Sequence, residues 1–320
     1  MKDGPMTARH PNSTPRSLKI GLAAAVAAQV LWGIFPAYIK LFQGVIAPLD
    51  LVAHRAIWSF VALALWLLAT SKKRAARETA SDPSLRQRLF GDSKTITLGL
   101  FATVMIAINW LVFVWAVNND HAIDVSLGYY ICPQLMVLLG VVFLRERLTP
   151  LQWTAVALAT VGVSIMTWSA ESKIWIGLMV AIAFSFYALS KKKTTLSADE
   201  GLTLETGFML LPATAYLIYR FAIDGATIIP SSLPLALALL CSGLMTIVPL
   251  LLYAIALKHI KLSTVGLLQF IGPTIQFFLG IFAFSEPVDS TRFIGFGFVW
   301  AGVSVYLFAL HRRTAAESST

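Results

Sequence analysis

Charged residues are scarce in this chain: Asp, Glu, Lys and Arg make up 13% of its 320 residues, while hydrophobic residues make up 57%. Soluble domains have about 25% charged residues. The shortage therefore excludes an ordinary water-soluble protein and favours a chain that lies in a lipid bilayer. Cysteine is also rare, because Cys132 and Cys241 are the only two and both lie inside apolar runs. This usage argues against a disulfide framework.

Several functional motifs are missing from the sequence. It has no GxxxxGK[ST] segment to bind a nucleotide, no HExxH segment, and no cluster of Asp, Glu and His within its apolar runs. We therefore expect neither an ATP-driven pump nor a membrane enzyme, and neither a cofactor nor a metal. The polar turn at 118–121, with Asp124 behind it, has no spaced partner ligands elsewhere and is interpreted as a plain loop.

The net charge of +9 does not indicate nucleic-acid binding. The basic residues lie in separate short loops and do not alternate with aromatic residues. They lie mainly in every second loop, and 20 of the 25 Lys and Arg residues fall on the side that carries both termini. Cytoplasmic loops collect Lys and Arg, so the pattern predicts that both termini are cytoplasmic.

Ten apolar runs are long enough to cross a ~30 Å hydrocarbon core as helices. They lie at about 20–41, 51–70, 96–117, 124–144, 150–169, 174–190, 202–221, 234–257, 263–284 and 292–310. The sequence therefore predicts an all-α integral membrane protein. The polar remainder predicts a disordered cytoplasmic tail at 1–17, a solvated cytoplasmic connector at 71–94 and a cytoplasmic tail at 312–320.

One membrane pattern occurs twice, about 140 residues apart. The loop before the first copy has no Lys or Arg, whereas the matching loop of the second copy has Lys258 and Lys261, so the copies have opposite orientations. Inverted repeats around a midplane site are typical of secondary transporters. We expect two inverted five-helix repeats, at 18–170 and 171–311. The matched pairs are Ala116 with Ala256, Val125 with Val265, Leu127 with Leu267, Ile131 with Ile271, Pro133 with Pro273, Gly140 with Gly280, Glu146 with Glu286, and Gly162 with Gly302.

Proline interrupts four of the predicted spans, at Pro36, Pro133, Pro249 and Pro273. An interior proline removes a backbone hydrogen bond and kinks a helix. Because Pro133 and Pro273 occupy matched positions of the repeat, they indicate hinges of the kind that inverted-repeat transporters use.

Arg55 is the leading candidate for solute binding. It lies with His54 just inside the second predicted span, where a lone charge costs roughly 2.5–3.5 kcal/mol at the helix centre. A guanidinium can bind a carboxylate or a phosphate through two parallel hydrogen bonds. The alternative is a structural arginine near the interface, paired with Asp50. His54 could titrate during transport or simply pack, and Glu205 is interpreted as an interface charge.

Aromatic and amide side chains inside the predicted spans form a second set of candidates. Each amide in hydrocarbon needs a partner or a water-lined face. An aromatic cavity with a few polar groups suits a partly apolar organic solute. A single Trp or Tyr can equally belong to the interfacial belt, which is our interpretation of Trp168 and Trp175. The residues assigned to the solute pathway are Trp32, Asn109, Tyr129, Tyr130, Gln134 and Gln269.

Three segments together resemble the RarD branch of the EamA group, within the drug/metabolite transporter superfamily. They are Trp32-Gly33 with Pro36; His54-Arg55 followed by Trp58-Ser59; and the run from Ser126-Leu127-Gly128-Tyr129 through Pro133 to Glu146-Arg147-Leu148. Further matches at Pro249-Leu250, Gly266-Leu267-Leu268-Gln269 and Pro273 extend the resemblance over roughly residues 18–310. The resemblance implies ten helices in two inverted halves, a bacterial inner membrane and a permease role. The run Ser190-Lys191-Lys192-Lys193 departs from it by being more basic than expected.

The sequence thus predicts a secondary transporter that moves a small organic metabolite or drug-like solute, anionic or zwitterionic, by alternating access. Export is the favoured direction. The alternatives are an uptake permease of the same fold and a membrane scaffold or regulator that does not transport.

Overall fold

The structure is a computed structural model, and it describes residues 15–75, 83–119, 122–168, 174–225, 229–284 and 290–318. Within these ranges every regular element is a helix. Most of the predicted 1–17 tail, part of the 71–94 connector, the centre of the 118–121 turn and the end of the 312–320 tail lie outside the described residues. The helices are α1 (Pro15–Lys40), α2 (Pro48–Ala75), α3 (Leu85–Phe90), α4 (Ser93–Asn118), α5 (Ala122–Leu144), α6 (Pro150–Trp168), α7 (Ile174–Lys193), α8 (Ala198–Asp224), α9 (Leu233–His259), α10 (Leu262–Leu268), α11 (Ile271–Phe284) and α12 (Ser290–Ser318).

The helices have the length and composition of membrane spans. In the described part of the chain, nine stretches are long and apolar enough to cross a bilayer, and a shorter apolar helix lies at Gly128–Leu144. Together they match the ten predicted spans. Large apolar side chains face away from the bundle, with Leu68, Leu211 and Phe282 exposed by 70%, 78% and 80%. A surface of this kind is stable where lipid covers it.

The helix pairs repeat between the two halves of the chain. In the first half, α1 packs against α9 and α11; in the second half, its counterpart α7 packs against α4 and α5. Likewise α2 packs against α9, and its counterpart α8 packs against α4. The pairs α6–α12 and α2–α8 join helices that are each other's counterparts. Because each half contributes five spans, an odd number, the halves run in opposite directions through the membrane, as the loop charges predict.

The basic loops meet at one end of the bundle, which we call the basic end. It contains the start of α1, the α5–α6 turn and the ends of α7 and α9. A Cβ atom on Gly21 would lie 2.6 Å from Ile260 Cγ2. Lys192 Nζ donates to the Ile260 carbonyl at 2.6 Å, and Lys261 Nζ donates to the Arg147 carbonyl at 2.9 Å. Lysines can donate to the free carbonyls at helix ends in this way. The unusually basic end of α7 is therefore bonded to the end of α9.

A carboxylate from the first half of the chain caps the start of α10. Glu146, which is 7% exposed, accepts hydrogen bonds from the Leu262 amide at 2.6 Å and from the Ser263 amide and hydroxyl at 3.0 and 2.6 Å. The residue that precedes the helix, Lys261, provides no side-chain cap of its own. The free amides of a helix start carry partial positive charge. Glu146 therefore satisfies two of them and fixes α10 to the α5–α6 turn.

The two matched prolines have different effects. Pro133 lies inside the continuous helix α5, whereas the second copy divides into α10 and α11 at Gln269. An interior proline clashes with the carbonyl four residues earlier, which for Pro273 is the carbonyl of Gln269. Pro133 has the same relation to the Tyr129 carbonyl and leaves α5 continuous, so this clash alone does not account for the division. Pro36 and Pro249 lie in uninterrupted helices, and the role of all four prolines as moving hinges stays a prediction.

The second half of the predicted 71–94 connector contains a short helix that packs on the bundle. Ser84 and Gln87 form a capping box, in which each side chain accepts from the other residue's amide, and this box starts α3. Leu89 packs in an apolar cluster with residues of α8, and Arg88 Nε lies 3.0 Å from Glu200 Oε1. The Ser-x-x-Gln spacing is the sequence signal that identifies such a helix start.

Candidate functional site

Arg55 lies where α2 crosses α9. The two helices run in the same direction, since Leu51 clusters with Leu239 near their starts and Ser59 meets Gly243 further along. Arg55 Nε donates to Thr246 Oγ1 at 2.9 Å. The same hydroxyl donates to the Ser242 carbonyl at 2.8 Å, so its lone pair is directed to the arginine.

Two aromatic rings hold the Arg55 guanidinium. Its Cζ lies 4.7 Å from the ring centre of Phe35 on α1 and 4.9 Å from that of Trp110 on α4. Both are cation–π distances. The Tyr38 and Tyr129 hydroxyls also lie within electrostatic reach of the guanidinium. Arg55 thus contacts α1, α4 and α9 from its position on α2, and it lies at the centre of the helix packing.

Arg55 contacts no carboxylate among the described residues. The alternative pairing with Asp50 is wrong, because Asp50 Oδ1 accepts from Tyr216 Oη at 2.9 Å and from Arg220 Nε at 3.2 Å. Nor do the two Nη atoms of Arg55 donate to any protein group in the described part of the chain. Within the described part of the chain, the Arg55 charge is therefore not balanced by a contacting carboxylate.

Asn109 and Tyr129 form a polar pair near this arginine. Asn109, 1% exposed, donates from Nδ2 to the Val180 carbonyl at 3.1 Å and accepts from Tyr129 Oη at 3.4 Å. Asn109 also precedes Trp110, whose ring contacts Arg55. The structure therefore brings three predicted site residues into one region: Arg55, Asn109 and Tyr129.

Other predicted residues lie apart from Arg55. Trp32 packs with Phe184 and Tyr253 at ring distances of 5.9 and 5.2 Å, which forms an aromatic cluster of α1, α7 and α9. Tyr130 packs on Phe296 of α12 at 5.6 Å. His54 is buried at 5% exposure. These three occupy packed positions rather than the Arg55 region.

The predicted amides lie near the break between α10 and α11. Gln269 donates from Nε2 to Cys132 Sγ at 3.6 Å, while its Oε1 is buried and has no partner among the described residues. Both amide atoms of Gln134 on α5 are likewise buried without a described partner. Polar atoms in this condition need a water or a solute, so the amides fit a polar pathway through the middle of the bundle.

Three residues around Arg55 escaped the sequence analysis: Phe35, Tyr38 and Thr246. Phe35 precedes Pro36, the proline that drew attention to this turn, and Tyr38 follows two positions later. Thr246 lies three residues before Pro249, and no feature of the sequence distinguishes it from the other threonines of the spans.

Glu205 also differs from its prediction. It was interpreted as an interface charge, yet it is 4% exposed and its Oε1 lies 2.7 Å from Lys191 Nζ. The lysine run at the end of α7, which is more basic than the family resemblance leads us to expect, supplies this buried partner.

Comparison with known proteins agrees with the fold. The profile of the EamA-like transporter family matches residues 19–168. An uncharacterized transporter of Vibrio cholerae is 38% identical over 288 residues, which cover 90% of this chain and 92% of that protein. The protein RarD of Escherichia coli is 37% identical over 290 residues, covering 90% of this chain and 93% of RarD.

A solved crystal structure shares the fold, with a TM-score of 0.67 at 16% sequence identity, and the match covers 92% of this chain and 98% of that one. The ten apolar helices, their paired packing and these near full-length relatives lead to one assignment. The chain belongs to the EamA-like transporter family of drug/metabolite transporters, is similar to the RarD proteins, and is a multi-pass membrane protein of a transporter type.

Proposed function

We propose that this protein is a secondary transporter that exports a small organic solute by alternating access, with Arg55 as the anchor for the solute's anionic group. The observation that carries the proposal is a guanidinium held by Thr246, Phe35 and Trp110 while its Nη edge has no described partner. A charge is stable within a helix bundle when it faces a partner or water. A site of this kind is ready to bind an anion.

The site favours a carboxylate on a partly apolar solute. One guanidinium balances one negative charge, and no second Lys or Arg contacts Arg55 among the described residues. A phosphate with close to two negative charges would therefore exceed the charge of the site. The rings of Phe35 and Trp110 offer apolar contact beside the charge. An anionic or zwitterionic carboxylate suits this arrangement.

Movement is proposed between the two repeats, 18–170 and 171–311. The α10–α11 break in the second repeat supports this, because inverted-repeat transporters place discontinuous helices at their sites. We further propose that the protein lies in the bacterial inner membrane with its basic end in the cytoplasm, in accordance with the loop charges.

The test compares solutes inside and outside five bacterial strains: one lacking the protein, and four expressing the native chain, Arg55→Ala, Arg55→Lys or Arg312→Ala at matched membrane levels. Arg312→Ala, which changes an exposed arginine at the end of α12, is the matched control. We expect carboxylate solutes to accumulate outside only with the native chain and the control. Loss of one hydrogen bond to a charged group costs about 1.5–3 kcal/mol, so both Arg55 variants should lower export at least tenfold.

Arg55→Lys keeps the positive charge and removes the planar, two-pronged guanidinium. It therefore separates the effect of the charge on export from the effect of the guanidinium geometry. Depletion of the solute from the medium would show that the direction is uptake. If Arg55→Ala transports like the native chain, the proposed site is wrong. If no solute moves in any strain, the protein acts as a scaffold or regulator instead.

A further inference from the structure

Glu205 and Lys191 form an ion pair inside the bundle. Glu205 Oε1 lies 2.7 Å from Lys191 Nζ, and the two side chains are 5% and 2% exposed. The second carboxylate oxygen, Oε2, accepts from Tyr187 Oη at 3.3 Å. The pair joins the end of α7 to the start of α8, and it has no part in the Arg55 site.

A buried pair of this type contributes little to stability. The cost of removing two charges from water can exceed their attraction, and an apolar pair of similar size is often as stable. A second pair on α8, Arg88 with Glu200, is more exposed on its arginine side, at 22%. That pair fastens α3 to α8 at the surface, whereas the Lys191–Glu205 pair lies where an apolar contact would hold α7 and α8 equally well.

Glu205 lies between an opening and the middle of the bundle. A cleft of water-molecule size borders the pair on the side of the α7–α8 turn; Ser190, Thr194, Leu196 and Gly201 line it together with three residues of α4. On the other side, Tyr187 connects Glu205 to the interior of the bundle. Its ring packs on Phe184 at 5.8 Å, and Phe184 packs on Tyr253 at 5.5 Å. The carboxylate is therefore reachable from the basic end and adjoins the central aromatic cluster.

Lys191 is the ion-pair partner of Glu205, while the neighbouring lysines Lys192 and Lys258 bind backbone carbonyls. Lys192 donates to the carbonyls of Leu257 and Ile260, and Lys258 donates to the Thr194 carbonyl. α4 contributes only Leu98, Gly99 and Ala102 to the cleft. The side chains at 71–75 of α2 lie outside the described residues. Among the described residues, Tyr187 and Lys191 contact Glu205 directly. Further titratable groups on the neighbouring elements include Lys192 of α7, Tyr253 and Lys258 of α9, and Glu200 of α8 with Arg88 of α3.

We propose that Glu205 is a proton-binding site that couples transport to the proton gradient, and that Lys191 is its release partner. A proton that enters from the opposite end of the bundle binds the Glu205 carboxylate, and the O–H bond formed there ends the ion pair. Lys191 stays an ammonium and is hydrated as the cleft widens, so α7 and α8 separate at their basic ends. Loss of the proton to water at the basic end restores the pair and closes that end, so each cycle carries one proton inward while the solute moves out.

The first experiment uses the proton itself as the ligand and needs no transported solute. The protein in liposomes is titrated while infrared difference spectra follow the C=O stretch of protonated carboxyl groups. We expect one buried carboxyl band that appears as the pH is lowered. It should be absent in Glu205→Gln and retained in Glu200→Gln, a control on the same helix. A band that persists unchanged in Glu205→Gln overturns the proposal.

A second variant separates coupling from folding. Lys191→Met combined with Glu205→Gln leaves no isolated charge, so it should insert and fold like the native protein. With a solute found in the export test, the double variant should exchange solute across the liposome membrane at the native rate. Its accumulation of solute should no longer respond to an imposed pH gradient. Accumulation that still follows the gradient overturns the proposal, and this result differs from the Arg55 variants, which lose exchange as well.

Discussion

At Thr246, one hydroxyl serves two partners. It donates to the Ser242 carbonyl at 2.8 Å and accepts from Arg55 Nε at 2.9 Å. The first bond fixes the direction of the lone pair that receives the arginine. Thr246 thereby positions the guanidinium with its Nη edge away from α9, which is the edge that the proposed carboxylate needs.

Thr246→Val should weaken solute binding, because valine keeps the shape and removes the acceptor. A hydrogen bond to a charged group contributes about 1.5–3 kcal/mol, so the solute concentration for half-maximal export should rise roughly tenfold to a hundredfold. The measurement is efflux from loaded cells at matched membrane levels.

Thr160→Val is the matched control. Thr160 is exposed on α6, and its hydroxyl donates to the Val156 carbonyl at 2.8 Å, far from any site residue. Equal behaviour of the two valine variants would show that Thr246 does not position Arg55.

Sequence patterns identify Arg55 for a physical reason: an arginine in an apolar run is costly and therefore conspicuous. Thr246 and Phe35 could not be identified in that way, because both residue types are common in membrane spans. Their roles arise from the packing of α1, α2 and α9, and Thr246 is separated from Arg55 by 191 positions in the chain. The interpretation of Glu205 as an interface charge was wrong for the same reason. Its position near a span end does not show that the fold places Lys191 beside it.

Among the elements, the approach of α2 to α9 sets the geometry of the site. A Cβ atom on Gly243 would lie 2.3 Å from the carbonyl carbon of Trp58 and 2.6 Å from the Ser59 amide nitrogen. Both are backbone atoms, which cannot move aside as a flexible side chain could. Glycine at this position permits the closeness that places Thr246 against Arg55.

Gly243→Ala should force α2 and α9 apart and destabilise the protein by about 1–3 kcal/mol, the usual cost of overpacking. Thermal unfolding in detergent should show a lower midpoint, and export should fall because the Arg55–Thr246 contact stretches. Gly297→Ala on α12 is the control, since no atom lies within 4 Å of its added Cβ and alanine favours a helix by about 0.8–1.0 kcal/mol. Indistinguishable midpoints for the two variants would contradict this account of the crossing.

The repeat indicated where the elements lie, and the contact between α6 and α12 follows it. A Cβ on Gly162 would lie 2.4 Å from the Gly295 carbonyl oxygen, and a Cβ on Gly302 would lie 2.7 Å from the Ala155 carbonyl oxygen. Ala155 and Gly295 are separated by 140 positions, as Gly162 and Gly302 are, so the two contacts are equivalent. The matched prolines differ, because only the second copy is divided.

For the whole molecule, the meeting of the basic loops at one end predicts the orientation in the membrane. Lys and Arg loops remain in the cytoplasm, so the basic end should face inward. A reporter that fluoresces only in the cytoplasm should be active when it is fused at the C-terminus. A phosphatase active only outside the cytoplasm should work when it is fused after Gly225, at the opposite end of the bundle. The reverse pattern at both positions would invert the proposed topology.

Fold class could be predicted at this scale because lipid contact leaves a signature in composition. Residues that face lipid are mostly apolar, and the 57% hydrophobic content with ten long runs reflects that preference. The surface helix α3 escaped the prediction since its six residues are too few for a periodic pattern.

The contact between Glu146 and α10 has a consequence for the order of assembly. A ribosome makes the chain from its N-terminus, so residue 146 leaves it long before residues 262 and 263. The carboxylate that receives the Leu262 and Ser263 amides is therefore already in place when they arrive. The first half thus serves as a template during synthesis, and a second half made alone would begin α10 without the group that satisfies its first amides.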